Sequence, residues 1–310
     1  MSTFYLPFIS KADVKLKVLF AVREIAFGMA GEAISFASSV QGPIVRKHCA
    51  LFSSEVSVKM DFTQPEPGRF SFDDIDSLSD YCEAAGIRLH GHCVIWHSQY
   101  PGWLDQALLQ LSDAGRYGLM AEHIRQVVGS LSDRCASLDL LNEYQPACEA
   151  GVPGFGYYLG LDGGRFAFEE ARKVSGGCKL FYNSFFRTDA DANYAISLLD
   201  VSDGIGVQLH LNTWWDLTDL FARVVRMAEA CGRAGKEMRF AEVSVQGDDM
   251  QEVAQVYRQT VRLALDLAGV VQEYVTWGVK GSAWNGGKLL FDTYGKENEA
   301  YYAVVEELSR

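Results

Sequence analysis

Eight short apolar runs, separated by stretches of helical periodicity, restrict this chain to very few architectures. They lie near Phe27–Ala30, Ser54–Lys59, Arg88–Ile95, Ser137–Asn142, Lys179–Asn183, Gly204–Leu209, Glu237–Val243 and Tyr274–Val279. Near-continuous apolar runs of this length suit strands covered on both faces, as in a parallel sheet. Between them, Asp74–Ala85, Asp113–Gly129, Phe166–Val174, Ala190–Leu199, Leu217–Ala234 and Met250–Ala268 read as helices, several with glycine at the stop position. Eight strands, each followed by a helix, predict an α/β fold, a single (β/α)8 TIM barrel. No Gly/Ser/Pro-rich linker or shift of composition divides the 310 residues, and 48% hydrophobic content fills one large core, so residues 1–310 are expected to form one domain.

Charge and cysteine usage narrow the partners. The net charge is −12 and the basic residues are scattered, so no positive stripe faces a phosphate backbone and nucleic acid is not expected. Seven cysteines, odd in number, widely spaced and without a Cys-x-x-Cys pair, argue against a disulfide framework and a metal cage. His90, His92 and His97 lack the accompanying carboxylate or cysteine spacing of a metal site, and neither a metal nor a cofactor is expected. The apolar run Lys15–Val22 ends at Arg23 and Glu24 and is too short to span a bilayer, so neither a signal peptide nor a membrane association is read from it. Localisation stays open between the cytoplasm and a secreted protein with its signal trimmed. A monomer is expected.

Chemistry gathers at the ends of the runs. Glu143 closes Leu138-Asp139-Leu140-Leu141-Asn142, and Glu242 closes Met238-Arg239-Phe240-Ala241. Parallel barrels present catalytic groups at the C-terminal ends of their strands, so two carboxylates delivered there suggest an acid/base pair. The third run leads into His92, Trp96, His97, Gln99 and Trp103; the sixth delivers Gln208 and His210 with Trp214 and Trp215 beyond; the eighth delivers Trp277, with Trp284 following. Indole faces stack on the C–H faces of sugars, while amides and imidazoles bind hydroxyls, so the six tryptophans are expected to line one carbohydrate cleft. His48, His90 and His123 are expected to be structural, and His97 to point away from the cleft because strand alternation turns His92 and Trp96 into it.

Five segments in order resemble the family ten glycoside hydrolases, whose best-known members are endo-β-1,4-xylanases. Gly91-His92-Cys93-Val94-Ile95-Trp96-His97-Ser98-Gln99 is similar to the family's Gly-His-Thr-x-Val-Trp-His-x-Gln, and Asn142-Glu143 matches its acid/base pair. Gly204-Ile205-Gly206-Val207-Gln208-Leu209-His210 resembles its Gly-x-Gly-x-Gln-x-His strand, and Glu242 falls at the nucleophile position. Thr276-Trp277-Gly278-Val279 followed by Leu289-Leu290-Phe291-Asp292 is similar to its closing segment.

The resemblance implies a retaining double displacement. Glu143 starts protonated, favoured in that form by the nearby anion of Glu242 and by apolar walls such as Trp277, and protonates the glycosidic oxygen while Glu242 attacks the anomeric carbon. It further implies that Asn142 binds the sugar 2-hydroxyl, that His210 contacts the nucleophile and Gln208 the acid/base, and that Glu55, Lys59, His92, Trp96 and Gln99 bind glycone sugars under Trp277 and Trp284. Asn183 matches an asparagine ending the fifth strand. Glu55 and Lys59 are expected on one face of the second strand.

Several positions depart from the family pattern. Where xylanases usually carry Glu-Asn-x-x-Lys-Trp, this chain has Val56 for the asparagine and Met60 for the tryptophan. Ser244 stands for the aspartate of Thr-Glu-Leu-Asp, leaving the imidazole of His210 without that anion. Asn183-Ser184-Phe185-Phe186 replaces Asn-Asp-Tyr-Asn, Lys280-Gly281 a polar pair that usually includes Asp, and Asn285 a common arginine. Three readings follow: a xylan-cleaving endo-glycosidase, a glycosidase for another β-linked glycan such as a bacterial exopolysaccharide or a decorated oligosaccharide, and a catalytically weak carbohydrate-binding barrel.

Overall fold

A computed structural model describes residues 14–310. The first 13 residues, which the expected domain includes, lie outside the described residues. The eight apolar runs form eight parallel strands: β1 Ala26–Gly31, β2 Leu51–Ser54, β3 Arg88–Ile95, β4 Ser137–Asn142, β5 Lys179–Ser184, β6 Gly204–Asn212, β7 Glu237–Gln246 and β8 Val271–Thr276. Each pairs with its neighbours in sequence, and β8 closes on β1 from Ala26 opposite Glu273 to Met29 opposite Thr276, which completes the expected (β/α)8 barrel. The outer helices bury one stripe each. In Thr218–Ala234 the stripe is Val224, Met227, Ala228 and Cys231, at helical spacing, and Gly235 stops the helix with φ 65°. The run Lys15–Val22 contains the helix Leu16–Ala21, which buries Leu16, Leu19 and Phe20. All seven cysteines are free thiols.

Two strands sit earlier than expected, each for a local reason. Glu32, just after β1, accepts the backbone N–H groups of Glu55, Val56 and Ser57 on one carboxylate oxygen at 2.7, 2.6 and 3.2 Å, gathering them into a turn. The second strand therefore ends at Ser54, and the turn, rather than a shared strand face, brings Glu55 and Lys59 to the cleft. The eighth strand ends at Thr276 because Gly278, at φ 132°, turns the chain out of the sheet. One helix begins much earlier than expected, running from Phe155 to Arg172 with a break at Gly160. Its glycines obscure the helical pattern, yet Gly164 is required: a Cβ there would lie 2.0 Å from the Tyr194 hydroxyl.

Beneath the strand ends, the barrel interior holds a charged cluster. Arg239 of β7 is 1% exposed and bonded to its register partner Glu273 on β8, with Asp139 at 3.3 Å and the Nε2 of His90 at 2.7 Å. Burial, then the Arg239 charge, pushes His90 below the ordinary imidazole value against the opposing pull of the Asp139 carboxylate 3.0 Å from Nε2, while Nδ1 lies 2.7 Å from Ser137 Oγ. Removing one partner of a buried ion pair strands the other charges, typically at ~3–5 kcal/mol. Arg239→Met is expected to lower the unfolding free energy by about that amount in urea titration, since Asp139 and Glu273 both lose the guanidinium buried between them.

Candidate active site

The two carboxylates stand in contrasting surroundings, and only Glu143 follows its strand: β7 runs on past Glu242 to Gln246. Glu143 follows β4 with a left-handed backbone, φ 52° and ψ 32°, a conformation costing a non-glycine residue on the order of 1 kcal/mol or more. There the chain turns from strand into the helix Tyr144–Ala150. Its Oε2 accepts from Trp96 Nε1 at 3.0 Å, its Oε1 from Gln208 Nε2 at 3.1 Å, and His97 Nε2 lies 3.8 Å from Oε2. Glu242 lies within β7 and is buried. Its Oε1 accepts from Asn183 Nδ2 at 2.7 Å, its Oε2 faces His210 Nε2 at 3.0 Å, and His92 Nδ1 stands 3.8 Å from Oε1.

Charged neighbours set the state of Glu242. Burial penalises the Glu242 anion, but His92 and the bonded His210 outweigh it and hold the carboxyl below the usual carboxylate range. Burial also disfavours a charged His92, yet the adjacent Cys93, then Glu242 and the Asp139 carboxylate, 2.9 Å from Nδ1, raise it well above an ordinary imidazole. Asp139 is itself held low, because His90, His92 and Arg239 outweigh its burial. An alternating series of charges, Glu273, Arg239, Asp139 and His92, thus runs up from the barrel interior to an ionised Glu242.

Amides connect the two glutamates. Asn142 Oδ1 accepts from both Asn183 Nδ2 at 3.1 Å and Gln208 Nε2 at 3.0 Å, which leaves its NH2 free to donate into the cavity. Strand register sets this up: Asn142 pairs with Asn183, Gln208 with Glu242 and His210 with Ser244. Gly206 gives Asn183 its room, since a Cβ there would lie 2.7 Å from Asn183 Oδ1. Ser244 Oγ sits 2.8 Å from His210 Nδ1, so a neutral hydroxyl orients the ring where the family pattern has an anion.

One cavity gathers Glu143, Glu242, Glu55, Lys59, His92, Trp96, Gln99, Asn142, Gln208, His210, Trp277 and Trp284, together with Val56. Asn183, expected to touch sugar, is fully buried and instead holds Glu242 and Asn142. Trp96, expected as a sugar contact, gives its N–H to Glu143, and Lys59 Nζ lies 4.6 Å over its ring while bonding Gln99 Oε1 at 2.6 Å. Burial, partly opposed by Lys59, raises the Glu55 carboxyl. Trp277 packs edge-on against His92 at 5.0 Å, and Trp284 stands 73% exposed at the rim.

Some expectations need correction. Trp96, Trp215, Trp277 and Trp284 line the cleft, but Trp103 bonds the backbone of Gln64 and Trp214 is exposed outside its lining. His97 approaches Glu143 rather than pointing away, because β3 ends at Ile95 and strand alternation no longer orients residues beyond it. Asp139, Arg239, Glu273 and Glu32 were not singled out from the sequence. Asp139 carried a usable signal, a lone charge inside an apolar strand, which demands a buried partner. A second cavity opens beyond Glu143, sharing Trp96, Gln208, His210 and Trp284 and adding Phe185, Arg187, Asn212, Trp215, Gln246 and Asn285.

Known proteins share this arrangement of chain. Endo-1,4-beta-xylanase A of Caldicellulosiruptor saccharolyticus is 25% identical over 304 residues, covering 86% of this chain and 88% of that one. Endo-1,4-beta-xylanase 2 of Claviceps purpurea is 27% identical over 277 residues, covering 84% and 81%. Of the longer endo-1,4-beta-xylanase A from Thermoanaerobacterium saccharolyticum the match spans 25%. In fold, native xylanase 10B from Thermotoga maritima superposes with a TM-score of 0.83 at 22% identity, covering 95% of this chain and 98% of that one. The family model described as glycosyl hydrolase family 10 matches residues 15–307, nearly the whole sequence, and the chain belongs to that family of glycoside hydrolases.

Proposed function

We propose that this chain cleaves internal β-1,4 bonds of a xylan-type polysaccharide with retention of configuration, Glu143 acting as acid/base and Glu242 as nucleophile. The observation that carries this reading is the contrast between the two carboxylates. Glu242 is buried, kept ionised by His92 and His210, and held by Asn183; Glu143 stands between the two cavities with only neutral donors on its oxygens. In the first step Glu242 attacks the anomeric carbon, the glycosidic bond breaks, and the leaving oxygen takes the proton of Glu143. Asn142 donates its free N–H to the sugar 2-hydroxyl, a contact that strengthens as the ring gains oxocarbenium character. Esterification removes the Glu242 charge, and Glu143, now ionised, takes a proton from the water that attacks the same carbon and releases Glu242.

Relatives named endo-1,4-beta-xylanase support xylan as the substrate class. The test is release of reducing ends from xylan, xylohexaose and cellohexaose, with Glu143→Gln and Glu242→Gln as references. Wild type is expected to act on the xylan substrates; hydrolysis no faster than either variant on any β-1,4-glycan contradicts the reading.

A second reading, a glycosidase for a different β-linked chain, rests on Val56. Its isopropyl group lines the cavity where the family pattern carries an amide, so a sugar hydroxyl bound there loses a partner worth ~1–3 kcal/mol. Val56→Asn is expected to raise kcat/KM on xylo-oligosaccharides by about ten-fold, the equivalent of about 1.4 kcal/mol. No gain, or a loss, in kcat/KM favours a sugar with no hydroxyl at that position.

A further inference from the structure

We infer that the leaving-group half of the cleft, through Arg187 and Asn212, recognises the carboxylate of a uronic acid branching from the glycan. This rests on the proposed roles of Glu143 and Glu242. Glu242 attacks the glycone sugar, and Glu143 protonates the oxygen that departs, so the cavity that contains Glu143 but not Glu242 receives the leaving sugars.

Arg187 is exposed on the wall of that cavity. Its guanidinium lies 4.9 Å from the Phe185 ring and 5.7 Å from that of Trp215, and among the described residues no carboxylate pairs with it. Three other arginines of the surface are matched: Arg165 with Asp200, Arg172 with Asp203 and Arg226 with Asp189. The acids nearest Arg187 and Trp215 in sequence are also occupied, Asp189 by Arg226 and Asp216 by the backbone N–H of Thr218. In a chain of net charge −12, Arg187 thus stands in the leaving-group cavity without a carboxylate partner among the described residues. Aromatic faces restrain the guanidinium plane, while its N–H edge stays free for bidentate contact with a carboxylate.

Asn212 is a second, independent sign of a ligand. It is 6% exposed, lines the same cavity, and its buried Oδ1 has no hydrogen-bond partner. A half-turn of the terminal amide brings that oxygen to the cavity, where a donating sugar hydroxyl satisfies it and seats the ring that carries the branch. Because Arg187 sits exposed while Asn212 is buried, the acidic group that reaches the arginine is a side branch and not the backbone sugar.

The test compares a glucuronic-acid-branched xylo-oligosaccharide with its carboxyl-reduced counterpart, which has the same shape without the charge. Wild type is expected to favour the acid by about ten-fold or more in kcat/KM at low ionic strength, with the preference falling as salt is added. In Arg187→Gln the ratio should fall to near one, and Arg187→Lys, which keeps the charge but loses the fork, should retain part of it. A wild-type ratio near one, or a ratio that Arg187→Gln leaves unchanged, overturns the inference. If wild type cleaves neither sugar, the hydrolytic reading is what fails. Binding isotherms of the two sugars on Glu143→Gln then decide the anion site: tighter, Arg187-dependent binding of the acid supports it, and equal binding overturns it.

Discussion

Glu242→Gln is expected to eliminate turnover on every substrate, with kcat falling by a factor on the order of 10⁴ or more. Glutamine keeps the shape of the side chain and can retain hydrogen-bonded neighbours, so the loss isolates the missing nucleophile. The carboxylate it replaces is bound by Asn183 at 2.7 Å and His210 at 3.0 Å and flanked by His92, all of which stabilise its ionised form. Loss should be as great on an activated aryl xyloside as on a xylo-oligosaccharide, because both need the glycosyl ester and a better leaving group does not replace a nucleophile. Steady-state kinetics on the two substrates check this. A loss confined to the oligosaccharide would move the nucleophile elsewhere.

Glu143→Gln should show the opposite split. General acid catalysis contributes typically 10²–10⁴-fold, and it matters most where the departing oxygen is basic. The variant should therefore lose about that factor on xylo-oligosaccharides, while an aryl glycoside whose phenol departs unprotonated still forms the ester. Its hydrolysis then stalls for want of a base, so rapid mixing should show a burst of phenol followed by slow turnover. Azide, which needs no deprotonation, should accelerate the second step and yield a β-glycosyl azide. Equal loss on both substrates without a burst would contradict the acid/base role. Trp96 and Gln208 are the donors that aim this carboxylate, so the substitution leaves their N–H groups facing an amide and not an empty site.

The barrel was legible because its strands are buried on both faces and therefore apolar throughout, and because helices of matching period separate them. Strand limits were less legible where a distant group sets them: the carboxylate of Glu32 curls Glu55, Val56 and Ser57 out of the expected strand from a position 23 residues earlier. Site residues at strand ends could be read from the sequence since register brings them together, as with Asn142 opposite Asn183 and His210 opposite Ser244. The supports beneath them could not. Arg239 looks like a rim charge until β7 and β8 pair it with Glu273 inside the barrel, and Arg187 is distinguished by its place in the cavity against Phe185 and Trp215. His97 was misread because alternation was carried past the end of the strand that imposes it.

Ser244 shows how a departure from the family pattern can keep geometry while changing charge. The hydroxyl holds His210 Nδ1 at 2.8 Å, so the ring still presents Nε2 to Glu242, while the buried anion of Asp139 backs His92 and not His210.

The most direct measurement is covalent trapping. Wild-type protein is incubated with a 2-deoxy-2-fluoro-β-xylobioside carrying an activated leaving group, digested with pepsin and mapped by mass spectrometry. Double displacement predicts one equivalent of fluoroxylobiosyl ester on the peptide containing Glu242, absent from Glu242→Gln. Label on Glu143 or Glu55, or turnover of xylo-oligosaccharide that releases the α-anomer with no label at all, would contradict it.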